Sequence, residues 1–465
     1  MLFISTKTKC PIYEQLYMQI RDKIMTGEWE FNMKLPSSRQ LTRELQISRN
    51  TVEQAYQQLY AEGYLFSKPR IGYYVEKLDT TFINQHSSGE IDRTLAQDTM
   101  EGQRQYDFRY GKLDYRYAPF KRWKNLMMQC FGEEMDGFVS YGGHQGEIGL
   151  REQIAKYAAE HRGVKCYPEQ IIVGAGTLYG LGLLCNLLRR TTNTVGFEDP
   201  GYGRARAVFK NAGFKVCPIN VDKDGLNIQQ LDDSGTTAVY VTPSHQFPTG
   251  AIMSISKRLQ LLEWATRKQG IIIEDDYSCH FRYNARPIPS LQGISPTANI
   301  VYLGNFSKSL LPSLRLAFMV LPLSLLDSYK TIYQKYNTSV PYLFQKTLEL
   351  FMQNGYLDRH LRRVLQVYKE KHDCLIQSLN KEFGDKITIN GQNAGLFVTV
   401  KVNSNLLETQ LIQRASDLGV QVYPISDHWE RLEQYDGKTV LLGYSSLDLD
   451  DIEQGVQLLH KAWFG

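Results

Sequence analysis

One lysine, Lys308, stands in the run Val301-Tyr302-Leu303-Gly304-Asn305-Phe306-Ser307-Lys308-Ser309-Leu310-Leu311-Pro312-Ser313-Leu314-Arg315, just past a strand-like apolar stretch. Ligands of open α/β sheets bind at the carboxyl ends of strands. A lysine amine ordinarily titrates at about 10.4, so Schiff-base chemistry with an aldehyde needs it desolvated or set beside another cation. Arg315 is the cation this run offers. A second run, Ile271-Ile272-Ile273-Glu274-Asp275-Asp276-Tyr277, is an apolar strand that ends in carboxylates and a phenol. A buried carboxylate is costly unless paired with a cation, and a protonated pyridine nitrogen is such a partner. Gly174-Ala175-Gly176-Thr177 follows a third apolar run and opens the helix-like Leu178–Leu188, which offers backbone amides to a phosphate. Together these pieces supply an imine-forming lysine, a pyridinium partner, a donor to a ring oxygen and a phosphate cup. That is the complement needed to hold pyridoxal 5′-phosphate.

The elements that must carry these groups belong to a chain of 465 residues, too long for one ordinary domain. Hydrophobic residues make up 42% and charged residues 22%, which excludes disorder, collagen and coiled coil as descriptions of the whole. A net charge of +4 is too small to imply nucleic-acid binding, so any DNA contact must come from a local motif. No run of about 18 apolar residues and no signal peptide is present, and a soluble cytoplasmic protein is expected. The seven cysteines form no CxxC pair and no metal site, and they read as mostly buried free thiols. Residues 78–105 are polar without sustained period, as in a linker. From residue 106 onward strand-like runs (Gln170–Gly174, Ala238–Thr242, Gly270–Glu274, Asn299–Leu303) alternate with helical ones, which predicts an α/β domain with a mainly parallel sheet covered by helices on both faces.

Residues 1–77 pattern differently. Ile12, Leu16, Ile20 and Ile24 give one amphipathic helix that stops at Gly27. Ser37 and Gln40 have capping-box spacing and start a second helix, running to about Leu45. Ser48 caps a third, with Val52, Ala55, Tyr56, Leu59 and Tyr60 as its buried face. Arg49, Asn50 and Thr51 then lie exposed at its first turn, where a recognition helix meets bases and phosphates. Tyr64–Phe66 and Tyr73–Val75 read as a hairpin with the basic tip Ser67–Gly72. This order of elements resembles the winged helix-turn-helix of the GntR family, through YEQLYMQIRDKIMTGEW and LPSSRQLTRELQISRNTVEQAYQQLYAEGYL. By that likeness Arg39, Arg49, Asn50, Thr51, Arg70 and Gly72 contact double-stranded DNA.

Residues 106–465 resemble a fold-type I aminotransferase with a smaller C-terminal subdomain, through GAGT, EDPGYGR, TPSHQFPTG, IIEDDYS and GNFSKSLLPSLR. The resemblance implies that Lys308 forms the internal aldimine, Asp275 pairs with the pyridine nitrogen and Tyr277 hydrogen-bonds the ring hydroxyl. It also implies that Tyr202 stacks on the ring, ordinary core packing being the other reading, and that Gly176, Thr177, Leu178, Ser307 and Arg315 hold the phosphate. Three departures stand out. Phe247 replaces the usual asparagine of the NPTG turn, leaving Gln246 or His245 as polar substitutes. No arginine precedes Leu442-Gly443-Tyr444, where Leu441 stands instead. Asn305 near the lysine either reaches the phosphate or does not. The two halves together resemble MocR/GabR-type regulators, which implies a domain-swapped homodimer that senses the cofactor or an amino-compound effector by exchange at Lys308. Arg204 is the candidate for an effector carboxylate, a surface ion pair being its other reading, and Asp427 stands where the GabR branch places a second arginine. The alternative reading is a working aminotransferase with an accessory DNA-binding module.

Overall fold

A computed structural model describes residues 2–5, 10–78, 105–133, 135–283 and 288–465. All but the end residues of the expected linker lie outside these. The chain divides into two compact units, residues 1–101 and 102–465.

In the first unit, helices α1 (Ile12–Met25), α2 (Ser38–Leu45) and α3 (Arg49–Ala61) precede a hairpin of β1 (Leu65–Lys68) and β2 (Gly72–Val75). Leu16, Ile20 and Ile24 of α1 meet Val52, Ala55 and Leu59 of α3 in one apolar cluster. The Tyr56 hydroxyl donates to the Pro36 carbonyl at 2.7 Å and so ties α3 to the entry of α2. Ser37 and Ser48 cap their helices, accepting from the amides of Gln40 and Thr51. Only half of the expected capping box forms, because the Gln40 side chain donates forward to Glu44 at 2.8 Å. Tyr60 is 50% exposed, not buried. One residue past Leu59 it has turned off the core stripe, and its ring lies 5.9 Å from that of Tyr73 in the hairpin. The hairpin tip is also shorter than expected, since Lys68 pairs with Gly72 and leaves Pro69-Arg70-Ile71 as the turn. Ser48→Ala strands an amide donor and should cost about 1 kcal/mol of this unit's stability in urea unfolding.

The second unit is built on β4 (Ile171–Gly174), β5 (Thr194–Asp199), β6 (Lys215–Asp222), β7 (Gly225–Leu226), β8 (Ala238–Val241), β9 (Ile271–Asp275), β10 (Ile300–Asn305) and β11 (Ala317–Val320), following the short β3 (Tyr106–Asp107). Their order across the sheet is β4-β11-β10-β9-β8-β5-β6-β7. The central pairs are parallel, while β11 runs against both β10 and β4, so β4, β5, β8, β9 and β10 all end at one edge. Every residue of β4 and β8 is buried, the continuous apolar pattern of strands covered on both faces. A four-stranded antiparallel sheet from residues 387–443 packs on the helices Tyr356–Phe383 and Leu449–Phe464, forming the smaller C-terminal layer. Three cysteines are buried and four half-buried, fewer than expected, and all seven are free. Among the described residues no helix is long and apolar enough to cross a membrane.

Candidate functional site

Lys308 follows β10 by three residues and sits at the edge where the parallel strands end. Its Nζ lies 4.0 Å from the centroid of the Tyr110 ring, and a Cβ at Gly111 would stand 2.9 Å from Nζ. Burial, with help from the Arg204 guanidinium, pushes the amine down to about 8. The cation is therefore Arg204, not Arg315 as the sequence suggested. Arg315 takes the left-handed conformation, φ +52°, and turns its guanidinium against Gly176, where any side chain would collide with it. A cavity of ≈ 330 Å³ opens beside Lys308 between Gly111, Tyr117, Ser309 and His360.

Asp275 ends β9, directly beside Leu303 of β10. Its Oδ2 accepts a 2.5 Å hydrogen bond from Tyr240, while Oδ1 is buried without a partner. Desolvation drives the carboxyl up to about 7. A buried acceptor with no protein donor is costly, and a protonated ring nitrogen would relieve it. The next carboxylate, Asp276, points away into a buried ion pair with Arg162 at 2.5 Å and accepts from Tyr302 at 2.8 Å. Tyr277 is engaged with the neighbouring turn: its hydroxyl donates to the His245 carbonyl at 2.7 Å and lies 3.2 Å from His245 Nδ1.

Gly176 is the N-cap of helix Thr177–Leu188, with φ +96°. Its amide donates back to Gly174, so the free donors at this end are those of Thr177 and Leu178, whose first-turn amides have no helical acceptor. Asn305 ties the cup together, accepting from the Ser307 amide at 3.2 Å and reaching Thr177 Oγ1 at 3.5 Å. Gly176, Thr177, Leu178, Ser307 and Arg315 thus converge around one helix end. The cradle fits a phosphate and the lysine–carboxylate pair fits a pyridoxal ring.

On the opposite side Tyr202 packs edge-on against Phe247, ring centroids 5.8 Å apart. Arg204, exposed on the first turn of helix Gly203–Asn211, acts electrostatically on both Lys308 and His428. Leu441 is buried with Phe247, Phe397 and Ile425, so an apolar cluster stands where a carboxylate-binding arginine was absent from the sequence. Gly443 lets Tyr110 approach, a Cβ there falling 2.6 Å from the Tyr110 backbone. The loop bearing exposed Asp427 is stapled to Asp199, which accepts from the amides of Glu430 and Arg431 at 2.7 and 3.2 Å. Sequence reasoning missed Tyr110 and Tyr240. Tyr240 looks like one more apolar residue of a buried strand, and Tyr110 is far from Lys308 in the chain.

In the first unit, Arg39, Arg49, Asn50, Arg70 and Gly72 are exposed and Thr51 is half-buried. Arg49 Nε is ion-paired with Glu53 at 2.7 Å, and the Thr51 hydroxyl meets that of Ser48 at 2.8 Å. Arg70, φ +64°, forms the wing turn.

A winged helix-turn-helix on one chain with an aminotransferase-type sheet and an edge lysine defines a DNA-binding regulator built on an enzyme scaffold. Residues 12–75 match the model of bacterial regulatory proteins of the gntR family, and residues 110–428 match aminotransferase class I and II, whose members use pyridoxal phosphate. The chain is 39% identical to YdeL of Bacillus subtilis, an uncharacterized HTH-type transcriptional regulator, over 99% of this chain and 98% of that one. It is 30% identical to MocR of Rhizobium meliloti, a probable rhizopine catabolism regulatory protein, over 100% and 96%. The α-aminoadipate aminotransferase LysN of Thermus thermophilus shares the second unit's fold, with a TM-score of 0.69 at 24% identity, covering 77% of this chain and 91% of that one. The chain belongs to the MocR-type transcriptional regulators, in which a GntR-family winged helix-turn-helix is joined to a class I and II aminotransferase domain.

Proposed function

We propose that this regulator binds pyridoxal 5′-phosphate at Lys308 and uses that site to sense an amino compound, as a cytoplasmic homodimer acting on operator DNA. The observation that carries the reading is Asp275 Oδ1, a buried acceptor without a donor at the strand edge that also presents Lys308. When bound, the cofactor supplies a carbonyl carbon that condenses reversibly with amines. Asp275 would accept from the ring nitrogen, and Tyr277 would serve the ring oxygen. The amides of Thr177 and Leu178, with Ser307 and the Arg315 guanidinium, would hold the phosphate, and Gly176 leaves room for that guanidinium. Tyr202 and Tyr110 bound the ring space and exclude water. Lys308 Nζ, titrating at about 8, has an appreciable unprotonated fraction near neutral pH and would be the amine offered to that carbonyl carbon, in competition with an effector amine. Arg204 receives an effector carboxylate.

Sensing requires that the ligand bind two arrangements of the protein with different affinity. Arg39, Arg49, Asn50, Thr51, Arg70 and Gly72 read the operator. Amine titration of the reconstituted protein, followed by its visible band and by operator affinity in parallel, tests the reading. Both should respond with one midpoint, and a spectral response with unchanged operator binding would sink the sensor. Arg49→Ala should weaken operator binding by about 1–3 kcal/mol in a mobility-shift titration without altering the visible spectrum.

A further inference from the structure

The histidine beside Tyr277 carries a further step, which rests on the cofactor reading above. His245 lies in the turn leaving β8 and is 1% exposed. Tyr277 Oη has one proton and directs it to the His245 carbonyl at 2.7 Å, so Nδ1, at 3.2 Å, meets that oxygen as a donor. This places the imidazole proton on Nδ1. Nε2 is then a bare lone pair buried against the Gly391 main chain, the weakest of the influences on this ring, and no N–H is stranded.

The ring is held from three sides by glycines with φ of +73°, +81° and +86°. A Cβ at Gly250 would stand 3.3 Å from Nε2, one at Gly391 3.7 Å, and one at Gly395 would strike the ring itself. Phe397 closes the remaining side, ring centroids 4.8 Å apart. Burial, then the nearby Arg282 cation, pushes the imidazole down to about 3, so it stays neutral at ordinary pH. The groups facing the phenol are Tyr110, Asp275, Glu198 and Tyr202. Gln246, the other polar residue of this turn, is fully engaged there. Its amide donates to the carbonyls of Pro200 and Phe247 at 2.8 Å each, and its oxygen accepts from Thr249 at 2.6 Å.

We propose that His245 is a positioning residue: by donating from Nδ1 to Tyr277 Oη it orients and polarises the phenol that faces the cofactor's ring oxygen. When the phenol's single proton turns from the His245 carbonyl to that oxygen, Oη still receives the Nδ1 bond; a hydrogen bond received by a hydroxyl makes it a better donor, so the pair stabilises negative charge on that oxygen more than the phenol alone.

The test uses full-length protein reconstituted with pyridoxal 5′-phosphate. Borohydride reduction and peptide mapping come first, followed by a pH titration of the visible band. The native protein should give an adduct on Lys308. In His245→Ala and His245→Leu the adduct should persist and the midpoint should rise by about one pH unit, a tenfold change in the proton equilibrium. His245→Asn, which fits the glycine-walled space and keeps a donor, should recover part of the shift. In a Tyr277→Phe background His245→Ala should add nothing. An unmoved midpoint in the Ala and Leu variants, or a full shift persisting without the phenol, overturns the assignment alone. No adduct in the native protein overturns the cofactor reading and this inference with it.

Discussion

Lys308→Ala protein, mixed with pyridoxal 5′-phosphate and then freed of unbound cofactor, should be colourless and give no borohydride adduct at position 308, whereas the parent should keep a visible band and a reducible bond at this residue. The loss should be complete, because covalent capture requires a nucleophilic amine at this edge. The parent should also show a pH signature. An amine titrating at about 8 is roughly one-tenth unprotonated at pH 7, against less than about one part in a thousand for an exposed lysine. The capture rate should therefore climb about tenfold per pH unit below 8 and level above it. Circular dichroism and binding of operator DNA by the cofactor-free variant should match the parent. A coloured Lys308→Ala protein with a reducible adduct elsewhere would remove the basis of the mechanism.

Asp275→Asn should move affinity and stability in opposite directions. Loss of the anion facing the ring nitrogen should weaken cofactor binding by about 3 kcal/mol, roughly a hundredfold. Without ligand the same change should stabilise the fold. Asp275 holds its proton in the folded chain up to about pH 7, while an unfolded carboxyl at about 3.9 has already lost it. The folded state binds the extra proton across that window, so stability falls as pH rises from about 4 to about 7. Asparagine has no charge to desolvate and keeps an acceptor for Tyr240. The variant should therefore unfold later than the parent at pH 8, by on the order of 2–4 kcal/mol, with the gain vanishing near pH 4. Glu198 is also raised to about 7, in part by the Asp275 charge, so relieving it in the variant adds to the gain at pH 8. Urea unfolding at the two pH values, with and without cofactor, checks both signs. Equal stability at pH 8 would mean that the carboxyl is not strained.

Much of this site was legible before any coordinates. Lys308, Asp275 and the Gly176 turn each follow an apolar strand, and strands of an open parallel sheet end together, so local sequence alone assigns all three to one edge. Ser37 and Ser48 cap the helices they announce for the same local reason, hydrogen bonds three residues apart. What needed the tertiary structure are relations between residues far apart in sequence. Arg315 and Arg204 are equally eligible neighbours for Lys308 until the left-handed turn at Arg315 sends its side chain to Gly176. Tyr60 fits a helical stripe until the hairpin shows which side of α3 is covered. Tyr110 and Tyr240 carry no motif, and only the folded chain puts one over the lysine and the other on the aspartate. The choice between Gln246 and His245 was likewise open, because it turns on which side chain the surrounding backbone has already satisfied. The sequence by itself determined the types and order of the reactive groups, since those follow from local hydrogen bonding and hydrophobic period. Only the tertiary structure decided which of them face one another, because charge, burial and donor pairing act through space over distances the chain order does not encode.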